Sequence, residues 1–466
     1  MKKENILFIG YSWRPDLKLD AYQQSLIDAY KNLGFDVHIL LSNTMTEHFI
    51  HGIDKNISED GFINLINEVA PKLILQMNNG ALKSSLKLKI KIPVVNIIVD
   101  EASHLFVPEA PLEEKIIDQY TQLVIGDSKT YNYFIKKINP SLKEHVHLIP
   151  SAGGGECNVT SEFKHNISFI GSFLNTDQAK RMFFKAIMYD DDTLSRLLLA
   201  STHLAENYEH DFKQTIDELN LMPFLDSQRM DIKKLKHTLS IYISASIRID
   251  TLNRVAPLGL SLFGNEEWGK AKSSDQGFIN CYQSNEKITT RKQLMEIYNT
   301  SKISINAPQV QASSGLAYRV YDVLKSKSLL IIPFNENSDA FNYFGKDCPI
   351  PMYKDLDHLY ELCEYYLSHE KERKELVVRC NDLVKNGFSF TERAQDYLRI
   401  ANVAVDNNNS KGEEFKINLK NILIKKITLN TSHLKFFIKY TLKRKLVKFL
   451  PTSLTRRVAE VILFLK

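Results

Sequence analysis

Short apolar runs rich in Val, Ile and Leu alternate with longer stretches of helical spacing over the first 150 residues. The runs are NILFIG, DVHILL, KLILQM, VVNIIV, LVIG and VHLIP. Continuous apolar strands separated by helices are what a parallel sheet covered on both faces requires. The pattern therefore predicts a doubly wound α/β half, with ligands bound beyond the carboxyl ends of its strands.

The same alternation returns later in the chain, after two interruptions. A turn-rich segment, PSAGGGECNVTSEF, leads to the run ISFIGS, and residues 178–253 are helical in pattern and lack glycine. Strand-like runs then resume as LSLFG, KISINAP and LLIIPF. We predict a Rossmann-like half over 1–160 and a second over 161–402 that faces it across a cleft, with a helical insertion over about 178–253.

The glycine run of the turn-rich segment, 153–155, has two interpretations. Three successive glycines after a strand can cradle a phosphate, but the Lys-Ser/Thr pair of a P-loop and the G-x-G-x-x-G spacing are both missing. A hinge between the two halves is the alternative, and it is the one that the turn-rich composition favours.

The charge distribution separates the end of the chain from the rest. Residues 411–466 carry 14 Lys and Arg against 3 Asp and Glu, whereas the preceding 410 residues carry 46 against 52. Basic and apolar residues alternate there at helical spacing, which is typical of helices lying in an anionic membrane interface. We predict that residues 403–466 form a linker and a basic amphipathic tail that docks on a membrane. Packing on the acidic body or on a second subunit remains open, and no nucleic-acid motif is present.

The composition bears on the class of protein and on the cellular compartment. No apolar run approaches the roughly 20 residues of a membrane-spanning helix. The five cysteines are dispersed and form no C-x-x-C pair, so we expect a reducing cytoplasm and no disulfide framework. The triplet 190–192 has the D-x-D spacing of metal-dependent transferases but follows a helical stretch, so a helix end is the better interpretation and we expect no bound metal.

Two groups of residues suggest chemistry. Ser313, Ser314 and Gly315 precede a helical stretch that carries Tyr318, Arg319 and Asp322. Amide groups at a helix start, a glycine that permits close approach and an arginine one turn in are together suited to an anion; the alternative is a Ser-capped helix whose arginine pairs with a surface carboxylate.

The second group follows strands of the first half, in positions facing the cleft. Asp100, Glu101 and His104 come directly after VVNIIV, where one of them would serve as a general base. The alternative is a helix cap with a solvated Glu and a packed His. Arg14 and Asp16, after the first strand, are candidates for binding an acceptor.

The order of segments in the second half resembles the donor-binding half of GT-B glycosyltransferases, in particular the spore-maturation CgeB-like branch of the group 1 type. The order is ISFIGS, LSLFGNEEW, LMEIYNTSKISINA, SSGLAYRVYDVLKSKSLLIIPF and FSFTERAQDYL, and the resemblance covers roughly residues 165–400. It implies that Arg319 contacts donor phosphate and that Asp322 binds ribose or sugar hydroxyls. It also implies donor contacts for Gly171, Ser172, Asn265 and Glu266.

These observations predict a metal-independent glycosyltransferase without a cofactor. It would transfer a sugar from a nucleotide-sugar donor to a hydroxyl of a glycan or lipid-linked acceptor. We expect it at the inner face of the cytoplasmic membrane, in bacterial cell-surface polysaccharide or lipopolysaccharide synthesis. Two alternatives stay open: a non-catalytic sugar or nucleotide binder, and a GT-B-like epimerase or polyol-phosphate transferase.

Overall fold

Two parallel sheets organise the computed structural model. It describes residues 3–11, 19–42, 59–77, 90–99, 119–137, 140–155, 162–206, 208, 212–270, 277–284, 288–312, 314–405 and 410–417. Both sheets belong to one compact unit, Met1–Asp54 with Ile66–Asn418. A second unit combines residues 55–65 with 419–466.

The first sheet is built by the apolar runs of the first half. Its strands are β1 (Asn5–Tyr11), β2 (Asp36–Ser42), β3 (Leu73–Met77), β4 (Val94–Ile98), β5 (Thr121–Ile125), β6 (Val146–Leu148) and β12 (Glu414–Lys416). They run parallel in the order β12-β2-β1-β3-β4-β5-β6. The helices along this half are α1 (Ala21–Asn32), α2 (Glu59–Val69) and α3 (Ser128–Lys137).

The second sheet repeats the strand order of the first. Its strands are β7 (His165–Ile170), β8 (Leu260–Phe263), β9 (Ser301–Ile305), β10 (Leu329–Pro333) and β11 (Met352–Tyr353), in the order β11-β10-β9-β7-β8. Counted from the first strand of each half, both sheets contain the order 2-1-3-4-5, to which the first sheet adds β6 at one edge and β12 at the other. The topological switch points therefore lie between β1 and β3 and between β7 and β9. The predicted α/β class with two Rossmann-like halves is confirmed.

Helices surround the second sheet and fill the predicted insertion. The insertion holds α4 (Asp177–Ile187), α5 (Thr193–Glu206), α6 (Phe212–Glu218), α7 (Met222–Ser227) and α8 (Ile232–Val255). The later helices are α9 (Arg291–Asn299), α10 (Tyr318–Leu324), α11 (Asp339–Phe344), α12 (Leu356–Ser368), α13 (Glu370–Leu383) and α14 (Phe390–Ile400). Helices α4 to α8 share an apolar core of their own, which explains why the insertion needs no strand.

The end of the predicted second half returns to the first sheet. Phe390, Ala394 and Tyr397 of α14 are buried in one core with Leu26 and Tyr30 of α1. The predicted second half, which ends at 402, therefore includes a helix that packs on the first half. The apolar stripe of α14 predicts that the helix is buried but does not indicate which sheet it packs against.

Helix α14 begins with a complete capping box. Ser389 receives a hydrogen bond from the amide of Glu392, whose carboxylate accepts from the amide and hydroxyl of Ser389 and from the amide of Gly387. Burial acts to raise the pKa of Glu392, but these hydrogen bonds outweigh it and lower the pKa to about 2. The capping box therefore stays intact until the pH is low enough to protonate Glu392.

Part of the predicted linker is a strand. The amide of Gly412 donates to Lys31 O, the amide of Val37 donates to Glu413 O, and β12 follows on the edge of β2. The assignment of 403–466 to a linker and tail is therefore wrong for residues 410–417. A three-residue strand with two charged members has too short an apolar pattern to be recognised. The predicted amphipathic tail lies outside the described residues.

Within the part of the chain that the structure describes, no helix has the length and apolar character required to cross a membrane.

Candidate functional site

A cavity of about 290 Å³ lies at the carboxyl ends of strands from both sheets. The first sheet contributes the end of β4, Ile97–Val99, and the end of β5, Val124–Asp127. The second half contributes residues that follow β9, namely Ala307–Gln309, Gln311, Ala312 and Gly315–Arg319. This segment leaves the switch point of the second sheet, where doubly wound folds bind ligands. We call it the central cavity.

Arg319 lines the central cavity and is the second residue of α10. Its guanidinium carbon lies 4.8 Å from the centre of the Phe169 ring, at the end of β7. Nη1 is buried and has no hydrogen-bond partner among the residues that the structure describes. Burial lowers the pKa of Arg319. A buried cation with an unused donor is favourable only when an anion or acceptor completes it.

A second arginine of the cavity, Arg248, was missed by the sequence analysis. It lies on α8, is 2% exposed, and donates from Nη1 to the carbonyl of Ser172. Its Nε atom is buried and, within the described ranges, unpartnered. Its guanidinium carbon lies 5.4 Å from the centre of the same Phe169 ring. Burial, followed by the charge of Arg319, lowers its pKa to about 9. The available signal was an arginine in the buried stripe of α8, between Ser244 and Leu252.

The loop after β7 is shaped by the loop after β8. Trp268 Nε1 donates to the carbonyl of Gly171 at 2.8 Å, and the side chain of Asn265 accepts from the amide of Phe173 at 2.8 Å. A Cβ on Gly264 would lie 2.0 Å from that same carbonyl oxygen, so only glycine permits this approach. These contacts position Gly171 and Ser172 beside the two arginines, whereas Glu266 is exposed at the start of a short 3-10 helix.

Asp322, predicted to bind donor hydroxyls, is buried under the glycine run 153–155. It is 2% exposed, forms an ion pair with Arg291, and accepts from the amide of Gly154. Arg291 also donates to the carbonyl of Gly154 at 2.9 Å, and burial lowers its pKa to about 10. A Cβ on Gly153 would lie 2.4 Å from the backbone carbon of Tyr321. The glycine run therefore packs against α10 and is held there by Asp322; a contact of Asp322 with donor stays a prediction.

Ser314 and Gly315 belong to one of the contacts between the two halves. Asp127, after β5, accepts from the hydroxyl of Ser314 at 3.0 Å and from its amide at 3.3 Å. In the opposite direction, Asp339 of α11 accepts from the amide of Ser128 at 2.9 Å. We call this reciprocal pair the aspartate clasp. The N-cap of α10 is Ala317 and has no side-chain hydrogen bond, so Ser314 does not cap this helix.

Aromatic rings from both halves close one side of the cavity. Tyr318 stacks on Tyr22 of α1, with ring centroids 4.0 Å apart and planes 11° apart. Both line the cavity with Tyr397 of α14. Burial is the main cause that raises the pKa of Tyr22 to about 12, so the ring is neutral at physiological pH. Tyr22 was not predicted from the sequence.

Several predicted site residues lie outside the described residues: Arg14, Asp16, Asp100, Glu101, His104 and Ser313. Their roles stay predictions from the sequence. The strand before Asp100 does end at the central cavity, since Ile97, Ile98 and Val99 line it.

Among the described residues, no group of three or more His, Cys, Asp and Glu side chains is placed to hold a metal ion. In the D-x-D triplet, Asp190 accepts from the amide of Thr193 and pairs with Arg196 at 2.8 Å. Its carboxylate therefore caps the start of α5, in line with the interpretation of the triplet as a helix end.

The sequence of the second half matches a known family. Residues 248–399 match the family model described as glycosyl transferase-like. The match begins at Arg248 and includes Arg319, and it covers roughly a third of the chain. No protein of curated function matches the chain in sequence.

Solved structures of similar fold are remote in sequence. A glycosyltransferase from Rickettsia africae is 12% identical, with 88% of this chain and 100% of that chain covered and a TM-score of 0.45. HepE of Anabaena in complex with UDP is 11% identical, with 85% and 98% covered and a TM-score of 0.43. Sucrose-phosphate synthase from Thermosynechococcus elongatus is 9% identical, with 86% and 98% covered and a TM-score of 0.43.

Proposed function

We propose that the protein is a metal-independent glycosyltransferase that uses a nucleotide-sugar donor. The observation that carries the proposal is the pair of guanidiniums in the central cavity, from the buried Arg248 and the half-buried Arg319. Neither is compensated by a described carboxylate, and each keeps one buried nitrogen without a partner in the described part of the chain. A phosphate group supplies the charge and the acceptor oxygens that both lack.

The charge of the leaving group gives this pair a chemical role. When the bond to the sugar breaks, negative charge grows on the phosphate, and fixed cations in a cavity stabilise it without a metal. Gly171 and Ser172 lie beside the pair, and Gly315 lines the same cavity. The glycosyl transferase-like match over 248–399 supports this assignment, because it includes both arginines.

The proposed acceptor and location are supported by the sequence alone. A basic amphipathic tail suits an enzyme that meets a lipid-linked or surface glycan at the inner leaflet. We propose cell-surface polysaccharide or lipopolysaccharide synthesis on that ground. Membership of the CgeB-like branch stays a prediction from the order of segments.

The test is a binding screen of the full chain against UDP, GDP, ADP, CMP and TDP and their sugars, with and without EDTA. A ligand at 100 times its Kd stabilises a protein by about 2.7 kcal/mol, which raises Tm measurably. Losing one charge-assisted contact of about 1.5–3 kcal/mol should weaken binding by about 10- to 100-fold in Arg319→Ala and Arg248→Ala. Arg379→Ala, on an exposed face of α13, is the matched control and should bind normally.

Three outcomes would count against the proposal. Failure of every nucleotide to bind the wild type would refute the donor site. Binding without any sugar transfer from the bound donor, to water or to a glycan, would favour the non-catalytic alternative. Loss of binding in EDTA would refute metal independence.

A further inference from the structure

Asp127 is the one carboxylate among the described residues that line the central cavity. It follows β5 of the first sheet, whereas Arg248 and Arg319 belong to the second half. The cavity therefore has a carboxylate on one half and two cations on the other. This is the arrangement that a displacement reaction needs when a proton is removed on one side and negative charge develops on the other.

The carboxylate of Asp127 is held in one orientation. Oδ1 accepts from the amide of Thr130 at 2.7 Å, and Oδ2 accepts from the amide and hydroxyl of Ser314. Gly315 makes room for it, because a Cβ there would lie 2.8 Å from Oδ2. A carboxylate has about four lone-pair positions, so these three hydrogen bonds leave about one for a further O–H donor.

Neighbouring groups determine which hydrogen bonds the Asp127 carboxylate receives. The hydroxyl of Ser314 lies within reach of both Asp127 and Asp339, at 3.0 and 3.3 Å, but has a single proton to donate. Further titratable groups lie around this pair: Tyr343 of α11 interacts with both carboxylates, Tyr321 of α10 interacts with Asp339, and Arg393 of α14 interacts with both tyrosines. Asp339 in turn accepts from Ser128 and Asn342, so its hydrogen bonds are met within the clasp.

We propose that Asp127 is the general base that accepts the proton of the acceptor hydroxyl. The acceptor oxygen forms a bond to the anomeric carbon of the donor sugar. The bond from that carbon to the phosphate oxygen breaks, and its electron pair stays on the phosphate beside Arg319 and Arg248. The acceptor proton passes to the carboxylate of Asp127. The inference rests on the proposed function and implies inversion at the anomeric carbon.

The role proposed for Asp127 competes with the general base predicted from the sequence. Asp100, Glu101 and His104 are the predicted bases, and they follow the neighbouring strand β4. The experiment must therefore compare Asp127→Asn with Asp100→Asn. Ser314→Ala is the matched control for the clasp, because it removes the shared hydroxyl but keeps the carboxylate.

The assay measures release of nucleotide from the donor identified by the binding screen, with water as the acceptor, over a range of pH. Loss of a general base lowers turnover by about 100- to 10,000-fold. We expect such a fall in kcat for Asp127→Asn, with nucleotide affinity within about threefold of wild type and with loss of the acidic limb of the pH profile. Ser314→Ala should keep that limb even where turnover falls, which a purely structural role of Asp127 does not predict.

The outcomes separate this inference from the proposed function. If no nucleotide binds the wild type, the proposed function fails. If nucleotide binds wild type and Asp127→Asn alike and both turn over at similar rates, only the role of Asp127 is refuted. Loss of the acidic limb in Asp100→Asn and its retention in Asp127→Asn would also overturn it, and a retained anomeric configuration in the product would do the same.

Discussion

Replacing Asp322 distinguishes a structural role from the donor contact that the resemblance implies. The side chain is 3% exposed, pairs with Arg291 and accepts from the amide of Gly154. Asp322→Ala leaves the guanidinium of Arg291 buried without its carboxylate and the amide of Gly154 without its acceptor. We therefore expect the free energy of unfolding to fall, with the structural change centred on the glycine run 153–155.

The size of the effect follows from the burial of the pair. Removing one partner of a buried ion pair costs about 3–5 kcal/mol, because the remaining charge is uncompensated. Arg291→Met removes that charge, so the double variant should be less destabilised than the sum of the two single variants. A coupling of about 0.5–3 kcal/mol is expected for residues in direct contact.

The assay is a double-variant cycle by denaturant unfolding, with nucleotide affinity measured on the folded protein. Asp322→Asn keeps an acceptor for Gly154 and should lose less stability than Asp322→Ala. Affinity should stay within about threefold of wild type in both variants. Unchanged stability together with a loss of affinity of tenfold or more would show that Asp322 touches the donor directly and would refute the structural argument.

Three other changes test separate features of the molecule. Gly153→Ala places a Cβ against the backbone of α10 and should cost about 1–3 kcal/mol by overpacking, whereas Gly277→Ala, whose Cβ meets nothing closer than 3.9 Å, should leave Tm nearly unchanged. Glu392 has a pKa held below its usual range, so its contribution to stability is complete above about pH 4.5 and is lost as the pH falls towards 2; acid titrations of wild type and Glu392→Gln should converge there. Trp268→Phe removes a buried hydrogen bond and ring contacts and should lower Tm and nucleotide affinity together, because the loop after β7 borders the arginine pair; loss of Tm alone would uncouple that loop from the site.

Strands were the most predictable part of the fold, and the physical reason is their double burial. All six runs named in the first half became strands, because a parallel strand covered on both faces must be apolar throughout. Edges were less predictable. β12 lies beside β2 with a polar sequence, since an edge strand is covered on one side only.

The candidate site was predictable where a local sequence pattern carries it. Arg319 was found because it follows a turn at the start of a helix, whereas Arg248 lies on a helix more than 60 residues earlier and reaches the same ring only in the folded chain. Ser314 and Gly315 were predicted as part of an anion site, but the Ser314 hydroxyl donates a hydrogen bond to Asp127 of the first half. Contacts between residues far apart in sequence have no local signal, so the clasp was not predicted.

The return of the chain to the first sheet has a consequence for the order in which the protein is completed during synthesis. The first core includes Phe390, Tyr397 and Leu398, and β2 gains its outer neighbour from residues 414–416. A nascent chain that ends at residue 160 would expose Leu26, Tyr30 and the edge of β2. The first half therefore lacks part of its core and the outer neighbour of β2 until α14 and β12 have left the ribosome.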